Sequence, residues 1–122
     1  MSTEKIKNIL MILLGTLAFV WPALWNGYPL VYSDTNVFIA QPAPGHFNWD
    51  KPFIYGPWML LVHGWQSLWG VAFAQAFLVS QLLWFTLAVF GPPNRSRYLL
   101  LCTVLGVCSP ASWFASLLMP DI

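Results

Sequence analysis

The 122 residues carry five basic and four acidic side chains, 7% of the chain, against 58% hydrophobic residues. A soluble domain devotes roughly a quarter of its residues to charge and a disordered chain is poor in apolar residues, so a mean hydropathy of +0.65 excludes both classes. The net charge of +1 supplies no basic patch for nucleic acid, and the class that remains is an all-α integral membrane protein.

The first apolar segment, about 6–26, follows Glu4, Lys5 and Lys7, and no further charge occurs until Asp34. It supplies the roughly 20 residues a helix needs to cross a hydrocarbon core about 30 Å thick. A cleaved leader is the rival reading. The stretch outruns a leader's apolar core, and Trp21, Pro22 and Trp25 crowd the place of a small-residue cleavage site, so it is read as a retained span.

Pro52 to Asn94 is a second uncharged run. As one helix from Phe53 to Phe90 it would exceed about 50 Å at about 1.5 Å per residue, so Gly64 and Gly70 are read as interruptions. An interfacial helix is expected over about 53–68, where Trp and Tyr suit the headgroup level, with Pro57 in its first turn. A second span follows over about 71–91. Arg95 and Arg97 precede a third, about 98–118, which Pro110 should kink.

Basic residues favour the cytoplasmic side of a membrane. Lys5, Lys7, Arg95 and Arg97 therefore place the N terminus and segment 91–97 inside, and segment 27–70 and the C terminus outside. Trp21, Trp25, Tyr28, Trp58, Trp65, Trp69 and Trp113 then gather at the outer interface. The fold expected is one membrane domain over 1–122, with three transmembrane helices and an extracytoplasmic loop carrying short interfacial helices.

Within the spans, Ala72, Ala76 and Ser80 recur every four residues, a pattern that lets helices approach closely in lipid. Ser109, Ser112 and Ser116 share a face of the third span, and Gln75 and Gln81 are expected to face protein. All of these read first as packing. Cys102 and Cys108 are six residues apart and have no metal-binding or redox spacing.

Chemistry, if present, belongs to the outer segment 27–56, because long loops without regular structure are uncommon unless functional. Ser33 or Asp34 could cap a short helix over about 35–41. A partly shielded Asp34 could equally act as a general base toward an acceptor hydroxyl. Asp50 and Lys51 could form an ion pair at a turn, or Lys51 could neutralise a phosphate at the membrane surface. His46 and His63 are lone histidines that read first as packing residues. Asp34, Asp50 and Asp121, three of the four acids, fall on the same outer side.

A first span, an outer Asp34, a variable stretch, then Asp50-Lys51-Pro52-Phe53-Ile54-Tyr55-Gly56 and an interfacial helix resemble the GT-C membrane glycosyltransferases. The similarity is greatest to their bacterial branch related to protein mannosyltransferases and aminoarabinose transferases. That branch carries an Asp-Lys-Pro-Pro-Leu-Tyr-Trp-like motif, and Phe53 stands here in place of its second Pro. The ending Leu118-Met119-Pro120-Asp121-Ile122 is similar to a family region after the third span that also holds an outward acid.

The resemblance implies a bacterial inner-membrane enzyme moving a sugar from a polyprenyl-phosphate donor to an extracytoplasmic acceptor. It implies Asp34 as the base, Lys51 as the partner of the lipid phosphate, and Asp121 as a support for Asp34 or the acceptor. Asp50, Tyr55 and His46 would be further substrate contacts. Thr35 stands where the family often has Glu, so no divalent metal is assigned and no other cofactor is expected. Such enzymes have many more spans, so a longer chain is expected to contribute the remaining helices, without which these 122 residues should be inactive.

The alternative is a non-enzymatic polytopic protein, either a transporter or an assembly subunit. Transporters place ionisable groups near the midplane, whereas the acids after Glu4 all lie beyond the span ends. Asp34 and Asp121 are accordingly expected to face each other across one outer cavity.

Overall fold

The computed structural model describes residues 3–43, 45, 49–64, 66–92 and 94–119. Among the described residues the regular structure is helical: α1 (Thr3–Asn26), α2 (Thr35–Ala40), α3 (Tyr55–His63), α4 (Trp69–Val89), α5 (Arg95–Cys108) and α6 (Ala111–Ser116). No strand occurs among the described residues; one isolated parallel bridge joins Leu30 to Leu117.

Two helices, α1 and α4, are long and apolar enough to cross a membrane. Only 33% of the most apolar stretch of α1 and 28% of that of α4 is buried inside the fold. The central helix of a water-soluble protein would hide most of such a surface. Here Ile9, Leu10, Leu13, Leu14 and Leu17 of α1 stay exposed, as do Leu78, Leu82 and Phe85 of α4 and Leu100, Val104 and Val107 of α5.

Helix α1 is the hub and packs on α4, α5 and α6. Its neighbours meet it with small residues: Ala72, Ala76 and Ser80 of α4 are fully buried. Ser80 Oγ donates to the Ile12 carbonyl at 2.8 Å, where Thr16 Oγ1 also donates at 2.9 Å. Ser80 shares a further hydrogen bond with Tyr98 Oη, and the Tyr98 ring stands edge-on to Trp84 at 5.2 Å. Gly15 makes room for this cluster, since a Cβ there would overlap the Tyr98 hydroxyl.

The segment expected as a third, kinked span is broken. Helix α5 ends at Cys108, Ser109 is extended (φ −132°, ψ 163°), and Pro110 starts α6. Proline has no N–H and its ring crowds the carbonyl four residues back, so Pro110 leaves the Gly106 carbonyl without its helical donor. Two side chains replace it. Ser112 Oγ donates to Gly106 O at 2.7 Å, and Trp21 Nε1 reaches across from α1 at 2.8 Å.

Pro22, inside α1, withholds the corresponding donor from Ala18. The Ala18 carbonyl faces Gly106 so closely that a Cβ there would overlap its oxygen. The Ala18 carbonyl thus packs on the bare Cα of Gly106 where α1 and α5 meet. Further along, Ser116 Oγ donates to Phe19 O at 3.1 Å and Trp21 packs edge-on to Trp113.

The two basic segments lie at one end of this bundle. Arg95 donates through Nε and Nη2 to Asn8 Oδ1 (3.1 and 2.9 Å) and also pairs with Glu4. Helices α2 and α3 pack on each other at the opposite end, and α3 docks on α4.

Removing one donor to Gly106 leaves the other in place, whereas removing both strands a buried carbonyl at a cost of about 1–3 kcal/mol. Trp21→Phe and Ser112→Ala should therefore each be tolerated better than their combination, and thermal unfolding in detergent should show the double variant losing more than the sum. Gly106→Val should lower the melting temperature by the equivalent of about 1–3 kcal/mol or more through overpacking; an unchanged melt would contradict the close approach.

Candidate functional site

The segment between α1 and α3 is stitched to the rest of the chain by hydrogen bonds between residues distant in sequence. Leu30 N–H donates to Ser116 O at 3.1 Å, and Leu118 N–H donates back to Leu30 O at 2.9 Å. Thr35 is buried and works in both directions: its hydroxyl accepts from Tyr32 N–H and donates to Leu118 O, both at 3.0 Å. Gln41, just past α2, donates to Pro52 O at 3.3 Å and accepts from Gly56 N–H at 3.1 Å, tying the start of α3 to α2.

Asp34 occupies the N-cap position of α2, yet its side chain makes no cap hydrogen bond. Its backbone is already helical (φ −79°, ψ −13°), whereas a capping side chain normally comes from an extended residue. The carboxylate instead meets Lys51 Nζ at 2.5 Å and accepts from Ser33 Oγ at 3.4 Å. The side chains of Lys51 and Asp34 are 19% and 32% exposed, so the pair is shielded but within reach of solvent.

Of the residues singled out in the sequence, Asp34 and Lys51 are therefore brought into contact. Asp50 is exposed beside them. Tyr55 opens α3 and is 8% exposed, wedged edge-on against Phe38 at 5.1 Å and beside Trp58. Its hydroxyl accepts from Gln75 Nε2 at 2.9 Å. Burial pushes the Tyr55 phenol above its usual titration range, the Gln75 hydrogen bond offsetting this only in part, so the hydroxyl stays neutral. His63 is buried at the end of α3. His46 and Asp121 lie outside the described residues, and so does the expected approach of Asp121 to Asp34.

Several cavities flank this end, among them one of about 360 Å³ lined by Gln41, Pro42, Phe53, Pro57, Leu60 and Leu61. Another of about 290 Å³ is lined by Tyr28, Ile39, His63, Gln66, Ser67 and Leu68. A third, about 420 Å³, lies between α4 and α6 and is apolar except for Gln75. Among the described residues no three His, Cys, Asp or Glu side chains come close enough to hold a metal ion.

Thr35 and Gln41 did not stand out in the sequence as ties of the outer loop. For Gln41 the one signal is a long polar side chain ending an apolar run just before Pro42. No family model matches the chain, and no curated protein or solved structure does.

Thr35→Val keeps the side-chain volume but strands Tyr32 N–H and Leu118 O, at about 1–3 kcal/mol. Amide hydrogen exchange at Leu30 and Leu118 should accelerate accordingly while the α1–α4 core stays protected. Equal acceleration everywhere would mean that the loop opens only with the whole fold.

Proposed function

We propose that this chain belongs to a membrane glycosyltransferase that moves a sugar from a polyprenyl-phosphate donor to an acceptor hydroxyl at the extracytoplasmic surface. In this reading α1 and α4 cross the bilayer and α5 with α6 forms a third, interrupted crossing. The basic end faces the cytoplasm, the α2–α3 end faces outward, and helices from a longer chain complete the donor site. Support for membrane placement comes from the exposed apolar belt on α1, α4 and α5. The broken backbone at Pro110 fits it too, because a freed carbonyl at membrane depth has to find an internal donor, as Gly106 O does.

The observation that carries the catalytic reading is the Asp34–Lys51 pair. A carboxylate left out of helix capping and held at the rim of the bundle is placed to accept a proton. The acceptor oxygen would attack the anomeric carbon as its proton passes to Asp34. The bond from that carbon to the lipid phosphate oxygen would break with inversion, its electron pair leaving on the polyprenyl phosphate. The Lys51 ammonium, on a flexible stem, can serve either anion; a phosphate that draws it away frees Asp34 to work. Asp50, His46 and Asp121 remain candidate contacts for donor and acceptor, and Tyr55 shapes the site from beneath.

A second reading, in which the same pair is a structural clasp in a non-enzymatic membrane subunit, draws on its position among the ties from Thr35 and Gln41. The two readings separate by mutation. Asp34→Asn in the complete gene product should cut sugar transfer from polyprenyl-phosphate donors by about 10² to 10⁴ while the protein melts within a few degrees of wild type. Unimpaired transfer, or a loss of activity matched by unfolding and restored in Asp34→Asn/Lys51→Gln, would sink the base assignment.

A further inference from the structure

We propose that the cavity between the end of α4 and the start of α5 binds the headgroup phosphate of an anionic phospholipid, with Arg97 as its anchor. The inference rests on the membrane placement proposed above and is independent of sugar transfer.

Two arginines begin α5 and have opposite surroundings. Arg95 is bound to Asn8 and Glu4, and Glu4 also takes Lys7 Nζ at 3.2 Å. The acid nearest this end of the sequence is thereby occupied. Arg97 is exposed and lines a cavity of about 310 Å³ together with Leu87, Phe90, Gly91, Pro92 and Asn94. Asn94 uses its side-chain oxygen to cap Ser96 N–H and Arg97 N–H, which leaves its NH₂ group as a second donor.

The cavity lies at the lower end of the roughly 300–1,000 Å³ typical of ligand sites, sized for a headgroup and too small for a whole lipid. Phe90 in its lining is 85% exposed and the preceding Val89 81%, an apolar surface that acyl chains would cover and a dissolved anion would not. A guanidinium matches two oxygens of a phosphodiester in a bidentate contact. Lys5, Lys7 and Arg95 at the same end exceed Glu4 in charge. Basic residues near an anionic leaflet each contribute about 1 kcal/mol, which favours a net-negative lipid over a zwitterionic one.

The test uses the full chain in nanodiscs of phosphatidylcholine doped with a minority of phosphatidylglycerol, with native mass spectrometry counting the lipids retained. Phosphatidylglycerol should be retained preferentially, and Arg97→Gln should reduce that retention roughly tenfold, the loss of about one charged hydrogen-bonded contact. Lys5→Gln, which changes the same net charge away from the cavity, should have a much smaller effect. The melt of Arg97→Gln in pure phosphatidylcholine should match wild type.

Equal retention of the two lipids, or wild-type retention by Arg97→Gln, would overturn the proposal. Displacement of the lipid by excess inorganic phosphate would do so too, by marking a site for free anions. Extraction of the chain from membranes by alkaline carbonate would defeat the membrane placement itself, and this proposal with it.

Discussion

The arrangement of the helices depends on two backbone carbonyls that proline leaves without a donor. Pro22 frees Ala18 O and Pro110 frees Gly106 O, and α1 packs on α5 with Ala18 O against the Cα of Gly106. A buried carbonyl without a partner costs several kcal/mol in an apolar environment, so the crossing has little freedom to slide. Gly106 O requires Trp21 on one side and Ser112 on the other. Moving α1 by a single turn along α5 would carry Trp21 about 5.4 Å from its acceptor. The absence of a side chain on Gly106 lets the backbones come close enough for this exchange.

That register passes outward to the loop. With α6 fixed against α5 by Ser112 and against α1 by Trp113 and Ser116, residues 116–118 lie where Leu30 and Thr35 bond to them. Thr35 sets the start of α2, and the neighbouring Asp34 is turned toward Lys51. The carboxylate on which the proposed chemistry rests is therefore positioned by a chain of backbone contacts that begins at the α1–α5 crossing. A general base benefits from such preorganisation, because a misplacement of about 1 Å can cost about 10² in rate.

The long helices α1 and α4 are legible in the sequence because uninterrupted apolar stretches have few other stable forms. The same holds for α2 over 35–40, where local turn chemistry decides. Helix α3 keeps Pro57 in its first turn but stops at His63, short of the expected 68, because Gly64 turns left-handed (φ 51°). Pro110 announces a kink, but the full break depends on Ser112 and Trp21 supplying donors, and Trp21 is 85 residues from the carbonyl it serves. Asp34 shows the limit of local rules. Its spacing from the helix favours a cap, yet Lys51, 17 residues on, takes the carboxylate, while Thr35 joins the loop to Leu118. Propensity says nothing of such distant partners, and no short motif marks Gln41 as the tie between α2 and α3.

The distribution of polar groups along the bundle bears on the choice between a surface enzyme and a transport path. The buried hydroxyls bond to backbone carbonyls or to one another: Thr16 within α1, and Ser80 and Tyr98 as fasteners between helices. Among the described residues the charged side chains fall toward the two ends, with Glu4, Lys7 and Arg95 paired at one and Asp34 and Lys51 at the other. A carrier for ions or charged solutes would place ionisable groups or an unwound helix facing a path near mid-depth. Here the break at Ser109 has its Gly106 carbonyl filled by Ser112 and Trp21, and Ser109 Oγ turns back onto Leu105 O. The break is spent on holding α1, α5 and α6 together, and the solvent-accessible Asp34–Lys51 pair lies at the end of the bundle opposite Glu4 and Arg95.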